Sequence, residues 1–215
     1  MPVDSPQKGW APLLERAFES LPRTHGDTPV RELSLYLDEL VLWNRRTDLT
    51  AARSAEELVD LSVADAQIIA AATVDDRGAW IDVGSGAGAP GLVLALLLPN
   101  IRVTLVEPKD RRVAFLRNVL GKLDLRRAVV ERGRSDKVAP RSCDTATSRA
   151  TLPPPEWLAE GARLARAAVW VLLAREEPPV LDGFRADQDV RYEWPLTGAK
   201  RRAVRYSPEH TPEVP

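Results

Sequence analysis

The chain changes its hydrophobic rhythm once, close to Gly78. Before that point apolar positions recur at helical spacing. Behind Thr28-Pro29, residues Val30, Leu33, Leu37, Leu40 and Val41 form one apolar stripe. Ser54 and Glu57 make a capping-box pattern ahead of Leu58, Leu61, Ile68 and Ile69. Ser5-Pro6 offers an earlier start of the same kind as Thr28-Pro29, a capping side chain followed by proline at the first helical position. Three helices are predicted. After Gly78, short apolar runs alternate with amphipathic segments. "AWIDVG", "RVTLVE", "RAVVERG", "CDTATSRA" and "AAVWVLLA" read as strands, while Pro90 to Leu98, Arg111 to Lys122 and Pro155 to Arg166 read as helices. That alternation predicts a parallel sheet with covered faces. The tail departs from it, because "DVRYEWPL" and "KRRAVRYS" flank "TGA" and predict an antiparallel pair closing one sheet edge. The expected architecture is a doubly wound α/β domain over 76–215, preceded by a helical extension over 1–75.

Composition narrows the classes. The 215 residues contain no uninterrupted apolar run of membrane-spanning length, and the longest, around Leu92 to Leu98, reads as a core helix. The start, "MPVDSPQKGW", lacks the basic opening and apolar core of a signal peptide, so a cytoplasmic protein without a membrane partner is expected. A single cysteine, Cys143, excludes an intramolecular disulfide and a cysteine-built metal cluster, and reads as a small buried residue. With only His25 and His210, far apart, no metal site is expected. The formal net charge is −1, so any nucleic-acid contact must come from local clusters. Arg45-Arg46, "KDRR" at Lys109 to Arg112 and "KRRAVR" at Lys200 to Arg205 are the candidates, although each also fits an ordinary solvated face.

The loudest local signal is "WIDVGSGAGAPGLVLALLLPN", Trp80 to Asn100. Gly84, Gly86 and Gly88 follow the first strand, where a doubly wound sheet binds its ligands. Missing side chains allow a sharp turn and let a ligand touch main chain. Gly84, Gly86 and Ala89 also satisfy the loose dinucleotide pattern, so NAD competes as ligand. Glu107 ends the second strand, where a carboxylate can accept both hydroxyls of a ribose; NAD and S-adenosylmethionine sites share that feature. Asp82, at a buried strand end, needs partners that a cationic methionyl group or ordered loop amides could supply, which favours S-adenosylmethionine.

Five ordered motifs resemble one family, the bacterial small-subunit ribosomal RNA methyltransferases that modify guanine N7, also called glucose-inhibited division protein B. "LYLDELVLWNRRTDLTA" resembles its "W-N…N-L-T" helix and turn, and "DVGSGAGAPG" its glycine motif with Pro90-Gly91. "LVEPKDRRVAFLRNV" resembles its second strand and basic helix, "GRSD" at Gly133 to Asp136 its "G-R-A-E" turn, and "TSRA" at Thr147 to Ala150 its "S-R-A" strand end. The resemblance spans roughly Leu33 to Arg149. Ser62, Ala66, Ala89 and Arg175-Glu176 depart from the family's usual residues. The resemblance implies a class I S-adenosylmethionine-dependent methyltransferase with a Rossmann-like sheet and antiparallel C-terminal strands. It implies that Gly84 and Ala89 line the methionyl and sugar region, that Glu107 holds the ribose, and that Ser135 and Asp136 border the adenine. Arg149 would face the site from the fourth strand, serving cofactor and RNA, with Asn44, Lys109 and Arg111 on the RNA side.

The chemistry agrees with what the chain lacks. Methyl transfer from a sulfonium is an in-line displacement whose main demand is alignment. Guanine N7 carries a lone pair and no proton, so no general base is required, and no catalytic residue stands out. "LPPPEW", Leu152 to Trp157, fails the amide-donor pattern of amino-methyltransferases, and its prolines predict a helix start instead. Trp157, Trp170 and Trp194 read as core. The leading expectation is a monomeric methyltransferase acting on 16S ribosomal RNA or the small ribosomal subunit. The alternatives are an NAD-dependent oxidoreductase, which should carry a Tyr-Lys or His-Asp pair, and a non-catalytic RNA or ribosome-assembly protein that keeps a cofactor-binding fold.

Overall fold

The computed structural model describes residues 3–24 and 26–209; His25 and His210, the two histidines weighed as metal ligands, lie outside them. Three helices come first: α1 (Ala11–Glu19), α2 (Val30–Asn44) and α3 (Ala55–Ala72). The expected start at Ser5-Pro6 does not occur. A turn at 7–8 closes with the Gly9 amide donating to the Pro6 carbonyl at 2.9 Å, and Gly9 takes a φ of 71°. The helix begins only after Trp10. Ser5 Oγ and the Trp10 indole both donate to Asp38 Oδ1 on α2 at 2.8 Å, so the segment is pinned across helices instead of capped. α2 starts at Val30 with Pro29 at its cap and no side-chain cap bond; Thr28 lies outside and only its carbonyl accepts from the Val30 amide. Ser54 caps α3 as expected, accepting from the Glu57 amide at 3.1 Å while Glu57 reaches back to the Arg53 amide. α3 buries Leu58 through Ala70 on nearly every side except Leu61, which marks a helix packed between other elements and not one on the surface.

The sheet follows. Its elements are β1 (Gly78–Val83), α4 (Gly91–Leu97), β2 (Ile101–Glu107), α5 (Asp110–Leu123), β3 (Ala128–Arg132), β4 (Cys143–Ser148), α6 (Pro154–Leu164), β5 (Ala165–Leu173), β6 (Phe184–Glu193) and β7 (Lys200–Pro208). Spatial order is β3-β2-β1-β4-β5-β7-β6. The first five strands are parallel; β7 inserts antiparallel beside β5, and β6 closes the edge. Several element boundaries differ from the sequence pattern, and two of them stand out. Arg166, expected in a helix, lies in β5, and β6 ends at Glu193, leaving Trp194 to Leu196 in the hairpin turn. Asp60 on α3 explains the second, because its carboxylate accepts from the Leu196 and Thr197 amides and the Thr197 hydroxyl.

One core cluster joins α1 to α5 with inward residues such as Trp80, Val103, Leu105 and Trp170. The other packs α6 against Ile81, Val83, Val169 and Val171, with the Trp157 indole donating to the Trp170 carbonyl at 2.8 Å. Cys143, Trp157, Trp170 and Trp194 are all buried. Because β1 lies between β2 and β4, the chain reverses its direction of travel there and opens a crevice at the strands' carboxyl ends. No helix among the described residues is long and apolar enough to cross a membrane.

Candidate cofactor site

The loop after β1 is held at every turn. The Gly84 and Ser85 amides both donate to the Val106 carbonyl of β2, at 2.8 and 3.1 Å. Ser85 Oγ donates to the Asp82 carbonyl, and Tyr36 on α2 donates its hydroxyl to the Ala87 carbonyl. Gly86 takes a φ of 51°, and a Cβ there would stand in ordinary contact with the Gly84 carbonyl oxygen and an Arg112 nitrogen, at 3.6 and 3.7 Å. The missing side chain is therefore crevice space, of the kind a ligand fills. Gly91 has a different task. A Cβ on it would come within 2.4 Å of Asp82 Cβ, so only glycine lets α4 begin directly over that acid.

Two carboxylates organise this end of the sheet. Glu107 Oε2 accepts the Gly86 amide and Oε1 the Lys109 amide, both at 2.9 Å. It thus ties the glycine loop to the start of α5, and each oxygen keeps a second lone pair. Asp82 lies one layer deeper. It is fully buried, its Oδ2 accepts the Gly91 amide at 3.2 Å, and Oδ1 has no partner. Burial pushes its pKa up to about 7, with the charge of Glu107 adding to the rise. An unpartnered buried acceptor of this kind fits a cationic or N–H-bearing ligand group.

These elements enclose a crevice of about 380 Å³. Its wall includes Gly84, Gly86, Ala89, Glu107, Lys109 and Arg149 from the residues singled out in the sequence. Asp82 is buried behind that wall. Ser135 and Asp136 are not on it either. They form the short turn after β3, where Asp136 pairs with Arg134 and Lys137 and the Ser135 carbonyl accepts from Arg163. Arg111 points to solvent, because successive helical residues diverge by about 100° around the axis; its neighbour Arg112 takes the crevice side and donates to the Asp48 carbonyl. Asn44 turns inward. Its Oδ1 accepts the Leu49 and Thr50 amides and its Nδ2 donates to the Thr50 carbonyl, closing the loop that brings Leu49 to the crevice.

Sequence reasoning missed Tyr36 and Thr151, and took Arg112 only as one member of a basic cluster. Thr151 lines the crevice and donates to the Val83 carbonyl at 3.1 Å. It follows Ala150, held at a φ of 53°, a left-handed conformation unfavourable for a residue with a Cβ. Arg149, beside it, pairs with Asp65 at 3.3 Å and donates to the Leu61 carbonyl. Asp65 in turn accepts from the Tyr192 hydroxyl and the Trp194 indole, at 2.7 and 2.9 Å. One buried acid therefore joins α3, the end of β4 and the C-terminal hairpin.

Comparison with known proteins decides the family. The GidB family, described as rRNA small subunit methyltransferase G, matches residues 30–174. The chain belongs to this family. It is the family that the five motifs resemble, and it makes this a methyltransferase enzyme with S-adenosylmethionine as cofactor. The expectation of an NAD-dependent oxidoreductase is set aside. A ribosomal RNA small subunit methyltransferase G from Anaeromyxobacter dehalogenans is 32% identical over 186 residues, covering 81% of this chain and 86% of that protein. One of the same name from Halorhodospira halophila is 39% identical over 141 residues, covering 65% of this chain and 66% of that protein, about two thirds of its length. Among solved structures, a SAM dependent methyltransferase from Aquifex aeolicus shares the fold, with a TM-score of 0.50, 17% identity, and coverage of 69% of this chain and 90% of that one.

Proposed function

We propose that the protein methylates N7 of a guanine in small-subunit (16S) ribosomal RNA. The observation that carries this reading is the crevice, in which a braced glycine loop and Glu107 meet at the switch point of a family methyltransferase fold. Gly84, Gly86 and Ala89 supply backbone against the methionyl and sugar region, and Glu107 offers its free lone pairs to the ribose hydroxyls. Asp82, beneath the loop, favours the methionyl ammonium through its unpartnered oxygen.

Bound S-adenosylmethionine supplies a methyl group activated by its sulfonium. Every other demand falls on the chain. Gly84, Gly86, Ala89 and Glu107 would hold that cofactor. An in-line guanine N7 would accept the methyl group on its lone pair and take up the positive charge, with S-adenosylhomocysteine as the leaving group. No proton is transferred, so no general base is needed. Alignment remains, and the braced loop with the fixed turn at Arg149 to Thr151 would supply it. Lys109 on the crevice wall and Arg111 at the start of α5 meet the RNA backbone, while Asn44 shapes the neighbouring loop. In this reading the helices of 1–75 are a support for the methyltransferase domain of 76–215, and the protein works as a cytoplasmic monomer. Calorimetric titration tests the cofactor half. S-adenosylhomocysteine should bind at micromolar levels, about 8 kcal/mol. Tight NAD binding with none for S-adenosylhomocysteine would contradict it.

A further inference from the structure

A second cavity, of about 260 Å³, lies at the carboxyl ends of β4 and β5, beneath the C-terminal hairpin. Two features orient it. At one end it shares Arg149 and Ala150 with the cofactor crevice. At the other it shares Ala174, Glu176, Tyr192 and Arg201 with an open groove on the hairpin. That groove's wall carries Arg175, Arg191, Lys200 and Arg202 beside Glu177 and Glu193, with Arg202 paired to Asp189 and Glu177. The cavity therefore runs from the cofactor crevice to a groove in which basic residues outnumber acidic ones, a balance that suits an RNA backbone. It is smaller than the roughly 300–1,000 Å³ of sites for drug-sized ligands, and its wall is largely apolar.

We propose that this cavity receives the acceptor guanine, extruded from its RNA stack, with Glu176 reading the N1–H and N2–H edge. The proposal rests on the guanine-N7 reading above and gives it a pocket. N7 and the N1/N2 edge lie on opposite sides of the purine. A base with its N1/N2 edge at Glu176 thus presents N7 toward Arg149 and Ala150, where the cofactor crevice opens. Glu176 is prepared for that task. Its Oε2 accepts the Ala174 and Arg175 amides at 2.9 Å, which fixes the carboxylate and leaves Oε1 for two donors of a base. Backbone hydrogen bonds hold its pKa below the ordinary glutamate range, so it stays an acceptor. Its negative charge also offsets the positive charge that methylation leaves on guanine. The Arg201 guanidinium lies 3.8 Å from the Trp194 ring centroid, giving the cavity a flat cationic surface on which a base can stack. The groove beyond takes the flanking phosphates, whose contacts position the strand without choosing the base.

Glu176→Gln keeps an oxygen for the Ala174 and Arg175 amides but puts a donor where the guanine donors arrive. Leu172→Trp fills the cavity from its β5 wall. The experiment measures kcat/KM with 16S RNA carrying guanosine or inosine at the methylated position, beside calorimetric binding of S-adenosylhomocysteine. Inosine lacks the 2-amino group. Wild type should lose about tenfold on inosine, equal to about 1.4 kcal/mol. Glu176→Gln should fall about a hundredfold on guanosine and lose that preference. Leu172→Trp should fall at least as far, and both variants should bind S-adenosylhomocysteine as wild type does. Variants that keep wild-type rates and the guanosine preference overturn the pocket while leaving the methyltransferase reading intact. Wild type that binds S-adenosylhomocysteine yet yields no N7-methylguanosine on any small-subunit RNA overturns both.

Discussion

The Tyr36 hydroxyl of α2 donates to the Ala87 carbonyl of the glycine loop at 2.8 Å, from a position with no exposed surface. Burial pushes its pKa up to about 12, so it remains a donor throughout the neutral range. Through this bond the N-terminal helices brace a loop 51 residues away in sequence. Tyr36→Phe should cost about 1–3 kcal/mol of stability, because it leaves a buried carbonyl without its donor. Urea denaturation measures the loss, and titration with S-adenosylhomocysteine should show binding weakened severalfold. Unchanged binding would mean that the loop keeps its shape without the helical segment.

Glu107 joins structure and binding in one carboxylate. Read from sequence, its removal should weaken cofactor binding and leave the fold almost untouched. The two backbone amides it accepts revise that expectation, since Glu107→Ala strips partners from both the glycine loop and α5. Glu107→Ala should lower stability by about 1–3 kcal/mol and cofactor affinity by a similar amount. Paired denaturation and calorimetry separate the two effects, and a variant of normal affinity would remove Glu107 from the ribose site.

Asp82 gives a pH signature. Its folded pKa is raised to about 7, above the unfolded value near 4, so the folded protein binds the extra proton in that window. Stability from this group is present at low pH and is lost as pH rises from about 4 to about 7, at no more than about 1.4 kcal/mol per pH unit for one proton. Asp82→Asn should remove that component, seen as a flatter difference curve in denaturation between pH 4.5 and 7.5. Binding of the cationic methionyl group should strengthen over the same range in wild type only. Parallel curves for the two proteins would place the proton elsewhere.

The basic start of α5 predicts a salt effect. Lys109 lines the crevice, and its backbone amide, not its side chain, holds Glu107. Neutralising Lys109 and Arg111 together should weaken RNA binding and flatten its salt dependence, with cofactor affinity unchanged. Methylation against RNA concentration at two salt levels reads this directly. Identical slopes would shift the RNA path to the hairpin groove alone.

The glycine turn, Glu107 and the alternation of strands and helices were legible because each is local, a matter of period and of which residues tolerate a sharp turn. Ser135 and Asp136 lie off the crevice wall, and Arg111 faces solvent while Arg112 faces the crevice, because a turn's direction and a helix's rotation depend on packing. Tyr36 and Thr151 were missed, and Arg112 was read only as a basic-cluster residue, for the same reason, since their roles exist only once α2, the end of β4 and α5 meet around the loop. Trp194 read as core, and it is buried, yet it also supports Arg201 at the second cavity. A pocket made by a hairpin and two strand ends leaves no continuous motif.

Methylation of guanine N7 in small-subunit RNA leaves a mark that can be mapped. N7-methylguanosine is mapped across 16S RNA from cells with and without the gene, and the RNA from the deletion is then treated with purified protein and S-adenosylmethionine. One position should be methylated only when the gene is present and should be restored by the protein in vitro. Identical maps from both strains, with no methyl group transferred in vitro, would contradict it.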